Sequence, residues 1–292
     1  MILHRSLLFV PGGREQMLEK AAGLAADILC LDLEESVLPD EKSRARELVS
    51  KAVAKLAYAG RTVHVRLNAI RTEQTRDDLS AVVQTGLSGV LLAKTASAQD
   101  IRDVDVLLRE QELAHEVKPG TIDLIAAIES ARALLRCEEI SHASTRLVAL
   151  ALGGEDFTFD MGVQRTREGR ELDYPRSVIA TCARAANLAA LDTPWADIED
   201  IEGLTADAER AKALGFSGTY VIHPSHLEPV HTIFSPGAED VTSARKVLAA
   251  WDEAKEQGLG VVQLDGRMID RPIAERARRV IEQADAIAAQ SG

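Results

Sequence analysis

The sequence predicts an α/β fold, a (β/α)8 TIM barrel with a C-terminal helical extension. Three observations predict it: eight short apolar runs, a helical stretch after each, and polar or charged residues where most of the runs end. Runs that are continuously apolar, not alternating, suit parallel strands buried on both faces. They fall at residues 6–10, 27–33, 62–68, 89–94, 122–128, 146–152, 188–191 and 218–222, the seventh being the weakest. Helical stretches follow at 14–25, 41–57, 77–84, 99–114, 130–141, 175–186, 207–214 and 224–233. Asp40 is a fair N-cap for the second of these, and Pro224 opens the last, where a missing N–H costs little. Alternating strands and helices close into a barrel or spread into a doubly wound open sheet. No Gly-x-Gly-x-x-Gly follows the first strand, which weakens the dinucleotide-binding version of the open sheet. The barrel is expected over residues 1–235. Residues 236–292 read as a helix at 241–257, a turn with a short extended piece, and a second helix at 272–288. They form either an added layer on the barrel or an arm that packs on a neighbouring subunit.

Composition narrows the function. Aromatic residues are 3 % of the 292, so the core rests on Ala, Leu, Val and Ile. The balance of 34 basic against 46 acidic residues, net −12, disfavours nucleic acid and anionic membrane as partners. A small anionic ligand then needs a local basic pocket. Cys30, Cys137 and Cys182 have neither disulfide-framework nor zinc-site spacing and read as reduced thiols of a cytoplasmic protein. No apolar run is long enough to span a bilayer, and the start, Met1-Ile-Leu-His-Arg-Ser, is too short for a secretory signal.

In this fold class, catalytic residues stand at the C-terminal ends of the strands. Here those ends carry Asp32, Glu34 and Glu35 after the second run, and Arg66 and Asn68 after the third. Lys94 closes the fourth, Glu129 the fifth, Glu155 and Asp156 the sixth, and His223 the eighth. Taken singly, Asp156 reads as a loop acid and Glu129 as a helix N-terminal charge. Taken together, four or five carboxylates converge at one mouth, and a hard divalent cation relieves their repulsion. The donors are oxygens, which suits Mg2+ or Mn2+. Glu129 and Asp156 are the expected direct ligands, with Asp32 and Glu34 or Glu35 holding metal-bound water. Strand alternation puts Asp32 and Glu34 on one side. Arg66 reads as a carboxylate clamp or as a salt bridge at the barrel mouth. His223 and His226 are not read as a metal pair, because Pro224 starts a helix between them.

Seven segments carry a further signal: Arg5-Ser-Leu-Leu-Phe-Val-Pro-Gly, Leu31-Asp-Leu-Glu-Glu-Ser-Val, Val65-Arg-Leu-Asn, Ala127-Ile-Glu-Ser, Leu152-Gly-Gly-Glu-Asp-Phe, Ile222-His-Pro-Ser-His and Gly266-Arg-Met-Ile-Asp. In this order they resemble the motifs of the citrate lyase beta-subunit-like proteins of the HpcH/HpaI aldolase family, which includes malyl-CoA and citramalyl-CoA lyases. The resemblance implies a Mg2+-dependent carbon–carbon lyase. Its reaction splits a 3-hydroxy-acyl-CoA thioester, such as malyl-CoA or citramalyl-CoA, into a 2-oxo acid and acetyl-CoA or a homologue, or forms it from them. It implies metal ligands Glu129 and Asp156, a substrate arginine at Arg66, and an acidic strand-two motif at Asp32, Glu34 and Glu35. Glu35 stands where the usual motif has Asp. It further implies a proton-transferring acid at Asp270 that reaches an adjacent subunit's site. Arg5, Arg14 and Lys20 become the candidates for the CoA phosphates, and a homo-oligomer, a trimer or a multiple of one, becomes the expected assembly. The alternatives are a citryl-acyl-carrier-protein lyase, a metal-dependent 2-oxo acid aldolase that uses no CoA, and a non-catalytic metal-binding barrel.

Overall fold

The computed structural model describes residues 3–291. Eight parallel strands form its barrel: β1 (Ser6–Pro11), β2 (Ile28–Asp32), β3 (Val63–Leu67), β4 (Gly89–Thr95), β5 (Asp123–Ile128), β6 (Leu147–Leu152), β7 (Ala189–Asp192) and β8 (Gly218–Val221). They pair in sequential order, and β8 closes on β1 through Ser6↔Thr219, Leu7↔Tyr220 and Leu8↔Val221. Every expected strand is present.

Alternation sorts the barrel's two faces. Leu7, Phe9, Ile28, Cys30, Leu91, Ile125, Ala127, Ala149, Ala151, Leu191 and Tyr220 pack together as an inner cluster. Small residues on β5 and β6 leave room for Phe9 and Tyr220, whose rings meet edge-on at 4.9 Å. Two residues further along their strands come Asp32, Glu129, Gly153, Thr193 and Ile222, on the same inward parity. Arg66 joins them through its pairing with Asp32. Strand periodicity alone therefore aims these residues at the mouth. β4 is the exception. Its register slips between Leu92 and Thr95, and Lys94 there has φ +52.

The helices differ from expectation in informative places. The helix Ile201–Leu214 begins earlier than expected because the Asp200 side chain caps it, accepting from Gly203 N at 2.9 Å. The stretch at 130–141 is two short helices, Ala131–Leu134 and Cys137–Ser141, since Arg136 leaves the helical region at φ −115, ψ 13. A short helix at Gly154–Asp160 was not expected from sequence.

The chain divides into two compact units, residues 4–231 and, with Leu3, residues 232–291. In the second, the helices Ala238–Glu256 and Arg271–Ser291 pack on each other. The chain between them is a hairpin, β9 (Val262–Leu264) and β10 (Arg267–Ile269), where the sequence suggested only a short extended piece. Asp265 at φ +48 and Gly266 at φ +78 make its two-residue turn, the left-handed pair that an Asp-Gly hairpin uses. Among the described residues no helix is long and apolar enough to cross a membrane.

Candidate active site

The C-terminal mouth of the barrel holds a pocket of about 390 Å3. Asp32, Arg66, Glu129, Gly153 and Asp156 line its polar side; Phe9, Tyr220 and Ile222 line its apolar side.

Asp32 is fully engaged. Its Oδ1 accepts from Arg66 Nε at 2.7 Å and Glu34 N at 2.8 Å, and its Oδ2 from Arg66 Nη2 at 2.8 Å and Ser36 N at 3.0 Å. Burial works to raise its pKa, but the Arg66 fork and the two backbone donors outweigh burial and hold the carboxyl below the usual range. A carboxylate has about four acceptor positions, and all four are filled. Asp32 is thus the seat of Arg66 and has no lone pair left for a metal-bound water. The two readings of Arg66 are compatible in one side chain. Nε and Nη2 make the salt bridge, while Nη1 has only a loose contact with Glu34 Oε2 at 3.4 Å. The guanidinium also lies 4.5 Å from the Phe9 ring centroid, which fixes its plane.

Lys94 neutralises the rest of the strand-two motif. Its Nζ donates to Glu34 Oε1 at 2.8 Å and to Glu35 Oε1 at 3.0 Å. A ring of four or five unpaired acids was expected at the mouth; the structure corrects this, for Arg66 and Lys94 take up Asp32, Glu34 and Glu35. Glu129 and Asp156 remain, and neither has a salt bridge among the described residues. Glu129 is buried, its Oε2 accepts from Lys94 N at 2.6 Å, and its pKa is pushed up to about 7, first by burial and also by the charge of Asp156. Asp156, in the first turn of Gly154–Asp160, is raised too, because burial outweighs the opposing charge of Lys94. Gly153 makes this possible: a Cβ there would stand 2.5 Å from Glu129 Oε1.

This donor set fits a hard divalent cation. It is all oxygen, and it includes two carboxylates that make no salt bridge among the described residues, one of which, Glu129, burial pushes up to about 7. Among the described residues no group of three or more His, Cys, Asp or Glu is arranged to hold a metal. Mg2+ does not need one, since it is commonly held by one or two carboxylates with water and substrate oxygens.

The remaining candidates lie elsewhere. Arg5 precedes β1, at the opposite end of the barrel. Its guanidinium is buried and forks onto Asp27 through Nε at 2.9 Å and Nη2 at 2.7 Å. Placed so, it stands away from the mouth, which leaves Arg14 and Lys20 as the candidates for the CoA phosphates. Arg14 and Lys20 are exposed and bound the helix Glu15–Lys20, just after β1. Asp270 belongs to the second unit, where its Oδ1 accepts from Ile273 N at 3.2 Å and caps Arg271–Ser291. His223 hydrogen-bonds Ser225, and His226 the carbonyl of Ile198; their rings are 6.3 Å apart. Three contributors escaped the sequence reading. Lys94 was visible as a strand-end charge. Thr193 Oγ1 accepts from Gly154 N at 3.0 Å. Arg165 donates to Glu155 Oε1 at 2.6 Å and to the Pro194 carbonyl at 2.9 Å, tying the 161–169 loop to the pocket rim.

A closed barrel whose mouth gathers acids and a seated arginine at the C-terminal ends of its strands has the architecture of an enzyme active site. Residues 5–224 match the HpcH/HpaI aldolase/citrate lyase family, and the chain belongs to that family. It is 40 % identical over 281 residues to citrate lyase subunit beta of Escherichia coli strain K12, covering 96 % of this chain and 93 % of that one. It is 34 % identical over 307 residues to L-malyl-CoA/beta-methylmalyl-CoA lyase of Cereibacter sphaeroides, covering 98 % and 96 %. Among solved structures, it resembles protein CitE of Mycobacterium tuberculosis in complex with magnesium, acetoacetate and coenzyme A. The TM-score is 0.74 at 31 % identity, with 96 % of this chain and 97 % of that one covered.

Proposed function

We propose that this chain is a Mg2+-dependent lyase that splits or forms the carbon–carbon bond of a 3-hydroxy-acyl-CoA thioester bearing a distal carboxylate, such as malyl-CoA or citramalyl-CoA. The observation that carries the reading is the charge pattern of the mouth: among the described residues Glu129 and Asp156 make no salt bridge, while Arg66 is seated on Asp32 with Nη1 held only loosely, 3.4 Å from Glu34. The relatives support the chemistry, since one is a malyl-CoA lyase and a structural neighbour was solved with magnesium and coenzyme A.

Glu129 and Asp156 would hold Mg2+. When bound, the metal supplies Lewis acidity that lowers the pKa of a substrate hydroxyl. Arg66 orients the substrate carboxylate through Nη1 and offsets the negative charge on the substrate oxygen when its hydroxyl loses its proton. Phe9, Tyr220 and Ile222 keep water from that side of the pocket. Once the hydroxyl proton has passed to solvent water, the electron pair of the breaking carbon–carbon bond passes to the thioester fragment. The family resemblance assigns to Asp270 the proton which that carbon receives, or which it loses in the condensation direction. Arg14 and Lys20 meet the CoA phosphates. The test is turnover of malyl-, citramalyl-, β-methylmalyl- and citryl-CoA with Mg2+, with product identification. The Glu129→Ala enzyme should lose at least about 100-fold in kcat/KM. Wild-type turnover by that variant overturns the metal assignment.

A second reading has an observation in its favour. Identity is higher to citrate lyase subunit beta, 40 %, than to the malyl-CoA lyase, 34 %. On this reading the substrate is a citryl thioester of an acyl carrier protein. Turnover of free CoA esters by the purified chain alone decides against it.

A further inference from the structure

Lys94 combines features that a solvated strand-end lysine does not need. It is one of four non-glycine residues at positive φ among the described residues, and it sits at the register slip of β4. A left-handed backbone is disfavoured for a residue with a Cβ, and it persists where its surroundings impose it. Here it turns the Lys94 N–H inward onto Glu129 Oε2 at 2.6 Å. The same residue reaches with its ammonium to Glu34 at 2.8 Å and Glu35 at 3.0 Å. One residue thus touches three of the mouth's acids, in two different ways. Glu129 receives a neutral donor on one oxygen and keeps its charge uncompensated. Glu34 and Glu35 receive a full positive charge.

We propose that Lys94 is the positioning residue that sets the metal's donor set, occupying Glu34 and Glu35 so that a divalent cation is left with Glu129 and Asp156. The inference rests on the metal reading above. Without the ammonium, Glu35 has no cation and Glu34 keeps only Arg66 Nη1 at 3.4 Å. Two freed carboxylates then compete for the ion on the strand-two side of the pocket. A metal drawn there leaves Glu129 and sets a second positive charge against Arg66 beside Glu34.

The test measures Mn2+ binding to the whole protein by electron paramagnetic resonance of the free aquo ion, in four proteins: wild type, E129Q, K94M and K94M/E129Q. Lys94→Met keeps the stem and removes the charge. With Lys94 present, E129Q should weaken Mn2+ binding about tenfold or more. With Met at 94 the same substitution should cost less than about threefold, because Glu34 and Glu35 replace the lost ligand. K94R should restore the large penalty by restoring a cation. An equal Glu129 penalty in both backgrounds overturns the role of Lys94. No penalty in the Lys94 background overturns the metal reading itself, so the two failures are distinguishable. Should K94M fold poorly, K94N repeats the comparison with a residue that tolerates left-handed backbone.

Discussion

At the scale of single residues, the barrel places titratable groups where water cannot reach them. His64 lies on β3 two residues before Arg66, inside the barrel, and both its ring nitrogens lack a hydrogen-bond partner. Burial, helped by the charge of His4, depresses its pKa to about 3 from the ordinary 6.5. The sign of the stability effect follows. Above pH 6.5 the ring is neutral in both folded and unfolded chains and contributes no pH dependence. Between about 6.5 and about 3 the unfolded chain binds a proton that the folded chain refuses, so stability falls as pH falls. One proton corresponds to about 1.4 kcal/mol per pH unit. In urea melts at pH 7.5 and 5.0, wild type should therefore lose up to about 2 kcal/mol more than His64→Leu. Parallel losses would show that the ring is protonated in the folded state.

At the scale of elements, one buried cluster joins β7 to two helices. Arg176, on Asp173–Ala185, is fully buried and donates to Asp192 Oδ2 at 2.8 Å, at the end of β7, and to Asp207 Oδ2 at 2.7 Å, on Ile201–Leu214. Removing one member of such a cluster strands the others' charge, so Arg176→Met should cost about 3–5 kcal/mol in chemical denaturation. A loss under about 1 kcal/mol would mean that Asp192 and Asp207 are neutral or hydrated. Elements also show what a sequence can disclose. The strands were legible because burial on both faces writes a continuous apolar run, and the direction of Asp32, Glu129 and Gly153 follows from strand periodicity. The acids' partners were not legible. Arg66 meets Asp32 across 34 residues and Lys94 meets Glu34 across 60. Such pairings depend on barrel closure and, for Lys94, on a register slip that no local pattern announces. Arg5 misled for the same reason: its motif position was clear, while Asp27, 22 residues on, was not an evident partner. The β9–β10 hairpin is a different case, since Asp265-Gly266 was a readable turn signal that the apolar pattern around it did not lead us to weigh.

At the scale of the whole molecule, the open question is which chain's site Asp270 serves. Glu129 and Asp156 belong to residues 4–231, and Asp270 to residues 232–291. Resemblance to the citrate lyase beta-subunit-like proteins implies that Asp270 serves a neighbouring chain, and this has a consequence that can be measured without a structure of the assembly. E129Q and D270N should each be inactive as pure proteins. Co-expressed in equal amounts, they behave differently under the two arrangements. If Asp270 serves its own chain, every site in a mixed assembly lacks one of the two groups and activity stays absent. If it serves a neighbour, a D270N barrel beside an E129Q chain has both groups intact. Random mixing in a closed symmetric ring then restores about a quarter of the sites. Recovery near that fraction, read as kcat per chain in the co-purified protein, would establish a shared site. No recovery, with mixed assemblies verified by two affinity tags, would return Asp270 to its own chain or leave it only as the cap of Arg271–Ser291. Because the recovered fraction counts intact sites, it does not depend on which thioester is the physiological substrate.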